Sequence, residues 1–247
     1  MVTHKETRDT ESRIKCYVIS VFLLRTLRLT SYHQEKKVGP LSSEEIFLGR
    51  ILLHMFMVQD MNSHPIFGLE SNPHSVQIGL ETIGSAIYPI VGSYFNHSCS
   101  PNTLRVNVGR TQMLISSSRI SSGDEITDIY SMHFSEILRE KRQWWLNRNF
   151  NFVCKCEGCE KNWEIFENLP TKVSDQLRSK LQMVETAIAQ AIRSDDFKLT
   201  LQLHLRQLGL LEGLEKPHTL HVLIRNSFQF ACWRYYGKMA ENRIILS

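Results

Sequence analysis

The sequence predicts an α+β fold, in which helices precede and follow a small central region of β-strands. Apolar residues recur at helical spacing from Ile14 to Leu29, from Ser43 to Val58, and again from Leu177 onward. From Val76 to Tyr130, short apolar runs instead alternate with turn-forming residues, which is typical of strands and hairpins. This change of period, from helix to strand and back, indicates that the two kinds of structure occupy separate stretches of the chain.

Composition restricts the kind of protein. The 247 residues are 42% hydrophobic and 22% charged, as in globular proteins with one or two cored domains. The net charge of +4 is small, and no run of Lys and Arg could follow a phosphate backbone, so we expect no direct binding of nucleic acid. The apolar segment "CYVISVFLL", Cys16 to Leu24, is too short to span a bilayer and lacks a cleavage site, so we expect a buried helix and no membrane segment.

The first half of the chain should contain two packed helices followed by strands. Ser43 and Glu45 are well placed to begin the second helix, which carries apolar residues at Ile46, Ile51, Leu52 and Met55. Further on, the segment "LRVNVGRTQMLIS" has the pattern of a β-hairpin that turns at Gly109 and Arg110.

The last third of the chain should be helical. After a linker around Pro170, an apolar stripe at helical spacing is formed by Leu177, Leu181, Val184, Ile188 and Ile192. Two further helical segments run from Asp195 to Leu211 and from His218 to Ala240. Helix pairs of this kind resemble tetratricopeptide-type stacks, although such a stack usually needs three or more repeats to bury its faces.

The six cysteines are unevenly placed, which indicates a metal site. Cys154, Cys156 and Cys159 lie within six positions, whereas the other three stand alone at Cys16, Cys99 and Cys232. Six cysteines are too few for a disulfide scaffold of this length, so the cluster favours a reducing compartment and zinc. Structural zinc takes four ligands. The residues alone leave open whether the fourth is a distant cysteine or a histidine such as His97 or His133.

Polar and reactive side chains are concentrated in the segment "VGSYFNHSCSPNT", Val91 to Thr103. Taken alone, this segment could be a polar loop beside a core cysteine. It is followed, however, by "SSGDEITDIYSMHF", in which Gly123 turns the chain and Ile126 leads along a strand to Tyr130. The cysteine cluster comes next, and three such stretches in one order are more specific than any one of them.

The order "NHSCSPN", "GDEITDIY" and "CKCEGC" resembles the C-terminal half of a SET domain with its post-SET cysteines. It is most similar to the SET and MYND domain family of protein-lysine methyltransferases, from near Ile14 through Trp163 and more loosely beyond. The resemblance implies a partial SET-type β-fold within the α+β chain. Its regions would be a helical insert at 1–70, the C-terminal half of the SET core at 71–135, a post-SET zinc segment at 136–165, and tetratricopeptide-like helices at 171–247.

The same resemblance implies that a methyl group passes from S-adenosylmethionine to the amine of a substrate lysine. Tyr130 matches the active-site tyrosine of the family. Asn96 and His97 match the pair that holds the amino acid end of the cofactor, and Asn62 in "DMNSHPI" is a candidate for a further cofactor contact. Phe152 is an aromatic group suited to closing over the cofactor.

The resemblance also implies which residue completes the metal site. Cys99 matches the cysteine that joins the post-SET zinc, so the ligands would be Cys99, Cys154, Cys156 and Cys159. One distant ligand makes the site join two segments of the chain, and zinc binding in structural sites supplies on the order of 10 kcal/mol or more.

The sequence departs from the family pattern in three respects. The MYND finger and first SET strands are absent ahead of the helical insert, no Gly-x-Gly occurs among the 12 glycines, and Phe150 stands where a tyrosine is expected. We therefore expect an N-terminally incomplete chain, with little or no activity alone. The alternative function is a non-catalytic, zinc-containing scaffold or adaptor. Expected partners are a protein substrate carrying a lysine and a protein bound at the C-terminal helices, in the cytoplasm and nucleus.

Overall fold

The computed structural model describes residues 3–30, 39–69, 80–88, 92–108 and 111–245. These contain both helices and strands in separate stretches, so the prediction of an α+β fold is confirmed. The chain forms two compact units, which are described separately below. The first consists of Met1–His64, Ser85–Ser93 and Asn147–Phe152, and the second of Pro65–Gly84, Tyr94–Leu146 and Val153–Ser247.

The first unit contains the two predicted N-terminal helices, α1 (Thr10–Leu27) and α2 (Ser43–Asn62). Helix α2 begins at Ser43 as expected, and the residue before it provides the N-cap. The Ser42 hydroxyl accepts a hydrogen bond from Glu45 N at 3.3 Å, and the Glu45 carboxylate accepts one from Ser42 N at 2.7 Å. This capping box satisfies two of the backbone donors that a helix start leaves unpaired.

Charged side chains connect α1 to α2. Arg28 donates to Glu45 through two nitrogens, from Nε to Oε1 at 2.5 Å and from Nη2 to Oε2 at 2.7 Å. Arg8, whose side chain is almost fully buried, pairs with Asp60 and donates from Nη2 to Met57 O at 2.6 Å. Such two-pronged contacts hold a guanidinium in one orientation, so they fix how the helices pack.

The prediction that the first helix is buried is wrong. Only one face of α1, carrying Cys16, Ser20 and Leu24, is buried. Residues on its other face are largely exposed, with Val18 at 60% and Phe22 at 66%. The reason is that, among the described residues of its unit, α1 packs mainly against α2, whereas an apolar run covers all sides of the helix. Among the described residues, no helix is long and apolar enough to cross a membrane.

Short strands form three pairs in the described part of the chain. Strand β1 (His64–Leu69) pairs with β2 (Leu80–Ala86), and β3 and β4 are Asn96–His97 and Thr103–Val108. Strand β4 pairs in antiparallel register with β5 (Thr111–Ser116), as the predicted hairpin requires. The predicted turn of this hairpin, at Gly109 and Arg110, lies outside the described residues. Val76, the predicted start of the strand region, also lies outside them. Strand β3 runs parallel to β6 (Thr127–Asp128).

Five helices follow the strands in the described chain. They are α3 (Arg139–Phe150), α4 (Glu157–Glu160), α5 (Asp175–Arg193), α6 (Phe197–Leu210) and α7 (Thr219–Ile245). The last three agree with the predicted helical segments to within a few residues at most ends, and each packs against the next. Their likeness to tetratricopeptide helices stays a prediction, because helix order and packing alone do not distinguish that repeat from other helical arrays.

Two details of the helical predictions need correction. In α5 the buried stripe is Leu181, Val184, Ile188 and Ala191, whereas Ile192 is 42% exposed. The predicted apolar stripe is correct up to its last residue, Ile192. At that point the small side chain of Ala191 faces the core instead. Helix α3 was not predicted, because its buried residues are Arg142 and Leu146 and the remaining sequence shows no apolar stripe.

The core of the second unit lies between the β4–β5 hairpin and α7. Leu104 and Val106 of β4 pack against Phe228, Cys232 and Trp233 of α7, and all five are at most 3% exposed. A second cluster of Leu181, Leu211 and Ile224 joins α5 to the end of α6 and to α7. The C-terminal helices are therefore packed directly on the strands through one apolar interface.

Substituting Phe228 by alanine should test this interface. Phe228 is 1% exposed, so its removal leaves a cavity, and we expect the free energy of unfolding to fall by about 3–5 kcal/mol in denaturant titrations. Met183→Ala on α5 is the control, because Met183 is 73% exposed and its loss should change stability by less than about 0.5 kcal/mol. Equal effects of the two substitutions would contradict the assigned core.

Candidate active site and metal centre

The parallel pairing of β3 with β6 brings two distant motifs side by side. Asn96 lies opposite Thr127 and His97 lies opposite Asp128, so "NHSC" runs along "TDIY". The pairing extends one residue further, because Ser98 N donates to Asp128 O at 2.9 Å. The two motifs singled out in the sequence are thus neighbours in the fold.

His97 connects Tyr130 to a cysteine of the cluster. Its Nδ1 accepts a hydrogen bond from Tyr130 N at 3.0 Å, so the ring proton must be on Nε2, which lies 3.3 Å from Cys99 Sγ. Burial lowers the pKa of His97 to about 4, which keeps the imidazole neutral at physiological pH. A neutral ring with this tautomer accepts from the tyrosine backbone and donates to the sulfur.

The Tyr130 side chain is fixed at both ends. Its hydroxyl donates to Phe95 O at 2.5 Å, and its ring lies 5.3 Å from the His97 ring, centre to centre. Burial is the main cause that raises the pKa of this phenol, so the hydroxyl stays protonated at neutral pH. The Tyr130 side chain is therefore neutral, and its hydroxyl is held by Phe95, two residues before His97.

The amide side chains of this region have separate tasks. Asn96, which is exposed, donates from Nδ2 to Glu125 Oε1 at 2.6 Å. Asn102 spans the two motifs, since its Nδ2 donates to Glu125 O at 2.8 Å and its Oδ1 accepts from Thr127 N at 2.9 Å. Asn102 thus supplies hydrogen bonds where the short strands end.

A buried ion pair, which sequence reasoning missed, supports the segment before Tyr130. Arg105 of β4 pairs with Asp128 of β6, and the two side chains are 5% and 2% exposed. Asp128 Oδ1 also accepts from Ile129 N at 2.7 Å, and Arg105 Nη2 donates to Ile129 O at 3.2 Å. The available signal was a charged residue within each of two apolar strands, but nothing in the sequence indicates that they meet.

Two predicted cofactor residues, Asn62 and Phe152, belong to the first unit. Asn62 is buried at the end of α2, where its Nδ2 donates to Val58 O at 2.7 Å. Phe152 is partly buried just after α3. The cofactor roles of these two residues stay predictions. So do the cofactor roles of Asn96 and His97 and the catalytic role of Tyr130, which lie together in the second unit.

The four predicted metal ligands converge. The sulfurs of Cys99, Cys154, Cys156 and Cys159 all lie within 4.8 Å of one another. Cys99 Sγ is 3.5 Å from Cys159 Sγ, which is too long for a disulfide bond of about 2.05 Å, and the cysteines are free thiols. Cys99, 57 residues before Cys156, thus meets the local cluster, and it is the most buried of the four.

Backbone and side-chain groups hold the cysteines in place. Cys99 N lies 3.4 Å from Cys156 Sγ, and Cys156 N lies 3.5 Å from Cys154 Sγ, so amide hydrogens point at the sulfurs. Gln143 of α3 binds both backbone groups of Cys154, accepting from its N at 2.9 Å and donating to its O at 2.8 Å. The helix that sequence reasoning missed therefore positions one of the ligands.

Gly158, between the last two cysteines, leaves room for a tryptophan. A Cβ atom at Gly158 would lie 3.1 Å from Trp163 Cε3, closer than ordinary van der Waals contact. Trp163 in turn packs edge-on against Phe134, with ring centres 5.0 Å apart. Phe134 N donates to Cys99 O at 2.9 Å, so this aromatic pair attaches the cluster to the strand region.

Arg142 places a positive charge beside the sulfurs. Its side chain has no exposed surface, and its Nη1 donates to Phe134 O at 3.1 Å and to Ile137 O. Its Nη2 lies 3.9 Å from Cys159 Sγ. A buried guanidinium needs a compensating negative charge, and thiolate sulfurs supply one. Hydrogen bonding to Cys154 lowers the pKa of Cys156, whereas hydrogen bonding within the same cluster raises the pKa of Cys99 and of Cys154, so Cys156 is the sulfur that most readily becomes a thiolate.

The donor set fits structural zinc. Four thiols at these distances can surround a tetrahedral ion, and the amide and guanidinium groups around them stabilise thiolates. The histidine alternatives fit less well. His133 Nδ1 is 2.8 Å from Ser135 Oγ and His97 Nε2 contacts Cys99 Sγ, while the group that converges in the described chain consists of the four cysteines.

Comparison with known proteins identifies relatives for this arrangement. The SET domain family model matches residues 3–131. Protein-lysine N-methyltransferase SMYD4 of Mus musculus is 27% identical over 235 residues, covering 77% of this chain and 29% of the mouse protein. The SMYD4 protein of Homo sapiens is 35% identical over 78 residues, covering 32% of this chain and 10% of that protein.

A second group of relatives carries a different name. Histone-lysine N-methyltransferase SMYD1 of Homo sapiens is 30% identical over 155 residues, covering 58% of this chain and 29% of the human protein. The chain thus spans less than a third of the length of each of these curated relatives.

Substitutions at the buried ion pair should test how the Tyr130 segment is held. Asp128→Asn leaves the Arg105 cation buried without its counter-charge, so we expect the free energy of unfolding to fall by about 3–5 kcal/mol. The double variant Arg105→Met, Asp128→Asn removes both charges and should be less destabilised than Asp128→Asn alone. Denaturant titration measures both.

The exposed pair of Lys161 and Glu157 provides the control. Lys161→Met removes a charge from that solvent-exposed ion pair and should leave the free energy of unfolding nearly unchanged, because solvent screens the pair. If the double variant were no more stable than Asp128→Asn, the unpaired cation would not be the source of the loss and the interpretation would be wrong.

Proposed function

Because the chain belongs to the SET domain family, we propose that it is a protein-lysine N-methyltransferase that uses S-adenosylmethionine and contains a structural zinc ion. The observation that carries the proposal is the position of Tyr130, whose hydroxyl and backbone are both bound by residues 95–97. The names of the relatives, lysine methyltransferases of the SET and MYND domain family, support the reaction class. The proposals that the methyl donor is S-adenosylmethionine and that the metal is zinc are argued from the residues of this chain.

The reaction needs a neutral, well-oriented amine, and Tyr130 is suited to orient it. S-adenosylmethionine supplies a methyl group on a sulfonium, which an amine attacks directly. A lysine side chain has a pKa near 10.4, so only about one amine in a thousand is neutral at pH 7, at a cost of roughly 4 kcal/mol. Since the Tyr130 hydroxyl donates its own proton to Phe95 O, its oxygen acts toward an amine as a hydrogen-bond acceptor. Accepting an N–H bond from the amine orients the nitrogen lone pair.

We assign different roles to the neighbouring pair. The two ring nitrogens of His97 lie within hydrogen-bonding distance of Tyr130 N and Cys99 Sγ, so the ring is suited to bracing the site. The Asn96 amide is exposed and is proposed to bind the amino acid end of the cofactor. Its present partner, Glu125, is a side chain that such a ligand would replace.

Zinc at the four cysteines would join the segment that contains Cys99 to the segment from Cys154 to Cys159. Cys99 follows the strand that places His97, so the metal would hold the same backbone that positions Tyr130. Zinc binding at structural sites supplies on the order of 10 kcal/mol or more, and this energy would hold the two segments together. We therefore propose a structural metal that preserves the active site without taking part in the reaction.

The zinc proposal predicts metal content and metal-dependent stability. The purified chain should hold about one equivalent of zinc by atomic emission, and chelation should lower its melting temperature. Cys99→Ser should weaken zinc binding by at least about tenfold, since one of four thiolate ligands is lost. Cys16→Ala is the control, because Cys16 is a buried thiol outside the cluster. Zinc retention by Cys99→Ser equal to that of Cys16→Ala would refute the assigned ligand.

The catalytic proposal predicts loss of methyl transfer in Tyr130→Phe. Transfer of labelled methyl to lysine peptides is measured for the chain alone. It is also measured for the chain joined to the N-terminal SET strands of a relative, because the sequence of this chain contains no Gly-x-Gly. We expect little transfer by the chain alone, and a loss of at least about tenfold in the joined Tyr130→Phe protein. Tyr17→Phe, at a half-exposed position of α1, is the matched control.

Calorimetric titration with S-adenosylmethionine separates this function from a scaffold role. A joined protein that binds zinc but neither binds the cofactor nor transfers methyl would support the non-catalytic alternative. An unimpaired Tyr130→Phe variant would instead show that the reaction does not use this hydroxyl.

A further inference from the structure

A cavity of about 630 Å³ lies in the second unit, and its lining differs from the set of residues proposed for methyl transfer. It is bordered by the chain after β5, by the end of α6 and by the start of α7, and none of Asn96, His97 and Tyr130 lines it. Its volume is within the range of sites that bind small molecules, roughly 300–1,000 Å³. Neither the family match nor the proposed function assigns it a ligand.

The cavity has one strongly apolar side. Leucines from the end of α6 and the following turn line it, together with the ring of Trp163 and the side chain of Val222. Leu211 and Val222 are buried, which fixes the shape of this wall. The wall would take up the hydrocarbon part of a ligand.

The cavity also carries an excess of positive charge. Arg119, Lys216 and Arg225 line it, and Glu212 is the one carboxylate among its lining residues in the described chain. The remaining titratable residues of the lining are His133 and His221, whose pKa values burial lowers, so they are neutral at physiological pH. A ligand with a negative charge therefore matches the cavity better than a cation does.

Arg225 is the cation that most needs a partner. Its Nη2 makes one long hydrogen bond, to Thr103 O at 3.4 Å, and its Nε is buried without a hydrogen-bond partner among the described residues. The carboxylates that act on it electrostatically are Asp128, which is paired with Arg105, and the exposed Glu136. Burial lowers the pKa of Arg225 to about 10, so it remains charged at neutral pH.

We propose that this cavity binds a small organic acid with an apolar body. Its carboxylate would bind the guanidinium of Arg225, and its hydrocarbon part would lie against the leucines of α6 and Trp163. A guanidinium binds a carboxylate through two parallel hydrogen bonds, so such a ligand would satisfy the buried donor and compensate the charge at once. A highly charged ion such as phosphate would match the cation but would leave the apolar wall unused.

Calorimetry with three compounds that differ in one group tests the proposal on the full 247-residue chain. Phenylbutyrate carries the proposed carboxylate, phenylbutanol has the same body without charge, and phenylbutylamine reverses the charge. We expect the acid to bind at least about tenfold more tightly than the alcohol, because hydrogen bonds to charged groups have this magnitude. The amine should bind most weakly. No binding of the acid at millimolar concentration, or equal binding of acid and alcohol, would overturn the proposal.

Variants locate the two parts of the ligand. Arg225→Met should reduce affinity for the acid by about tenfold or more and leave affinity for the alcohol within about threefold. Arg178→Met, at an exposed position of α5, is the matched control and should change neither. Unchanged acid binding by Arg225→Met would exclude the assigned anion site.

A second variant keeps the test decisive if Arg225→Met fails to fold. Gly209 lines the cavity on helix α6, and a Cβ atom there would meet nothing within 4 Å, so the leucine of Gly209→Leu would begin in open space, fill part of the cavity and reduce the binding of both acid and alcohol. Retention of wild-type affinity by Gly209→Leu would place the ligand elsewhere. An acidic peptide that displaces phenylbutyrate with higher affinity would show that the occupant is a protein segment and would overturn the assignment to a small acid.

Discussion

The pairing of Asn96–His97 with Thr127–Asp128 is the contact on which the candidate site depends. It decides simultaneously where His97, Cys99 and Tyr130 lie, because all three are on these strands or within two residues of them. Two-residue parallel strands provide few backbone hydrogen bonds and are weak by themselves. The surrounding polar contacts compensate for this weakness. Asn102 adds hydrogen bonds from its amide, and the Arg105–Asp128 pair attaches β6 to β4.

The cysteine cluster strengthens the same pairing from the other side. Because His97 contacts both Tyr130 N and Cys99 Sγ, any displacement of Cys99 would alter the support of the tyrosine. Arg142 would balance the charge of thiolates at the proposed metal site, since a buried cation and anionic sulfurs each reduce the desolvation cost of the other. The proposed metal site and the candidate active site are therefore parts of one connected set of residues.

The sequence was informative where a pattern is local and uninformative where two distant charges meet. Helical and strand periods predicted α2, α5 and the β4–β5 hairpin, and cysteine spacing together with the family resemblance predicted the convergence of Cys99 on the cluster. Helix α3, which is described in full, was not predicted because its only buried apolar residue is Leu146, while its other inward contacts come from Arg142 and Gln143, which appear as surface residues in a hydropathy pattern. The exposed face of α1 was not predicted for the opposite reason. An apolar residue in a sequence does not show whether another part of the protein covers it.

Strand β4 shows how the C-terminal helices can influence the candidate active site. Its residues Leu104 and Val106 pack against α7, while the residue between them, Arg105, carries the ion pair to Asp128. Side chains of α7 also bind the β4 backbone, with Gln229 Nε2 donating to Arg105 O at 3.1 Å and Arg225 Nη2 donating to Thr103 O. Because successive residues of a strand face opposite sides, a shift of α7 against β4 would move Arg105 and, through Asp128, the backbone that leads to Tyr130. Occupancy of the cavity beside Arg225 therefore has a short, continuous route to the hydroxyl of Tyr130, the proposed catalytic group.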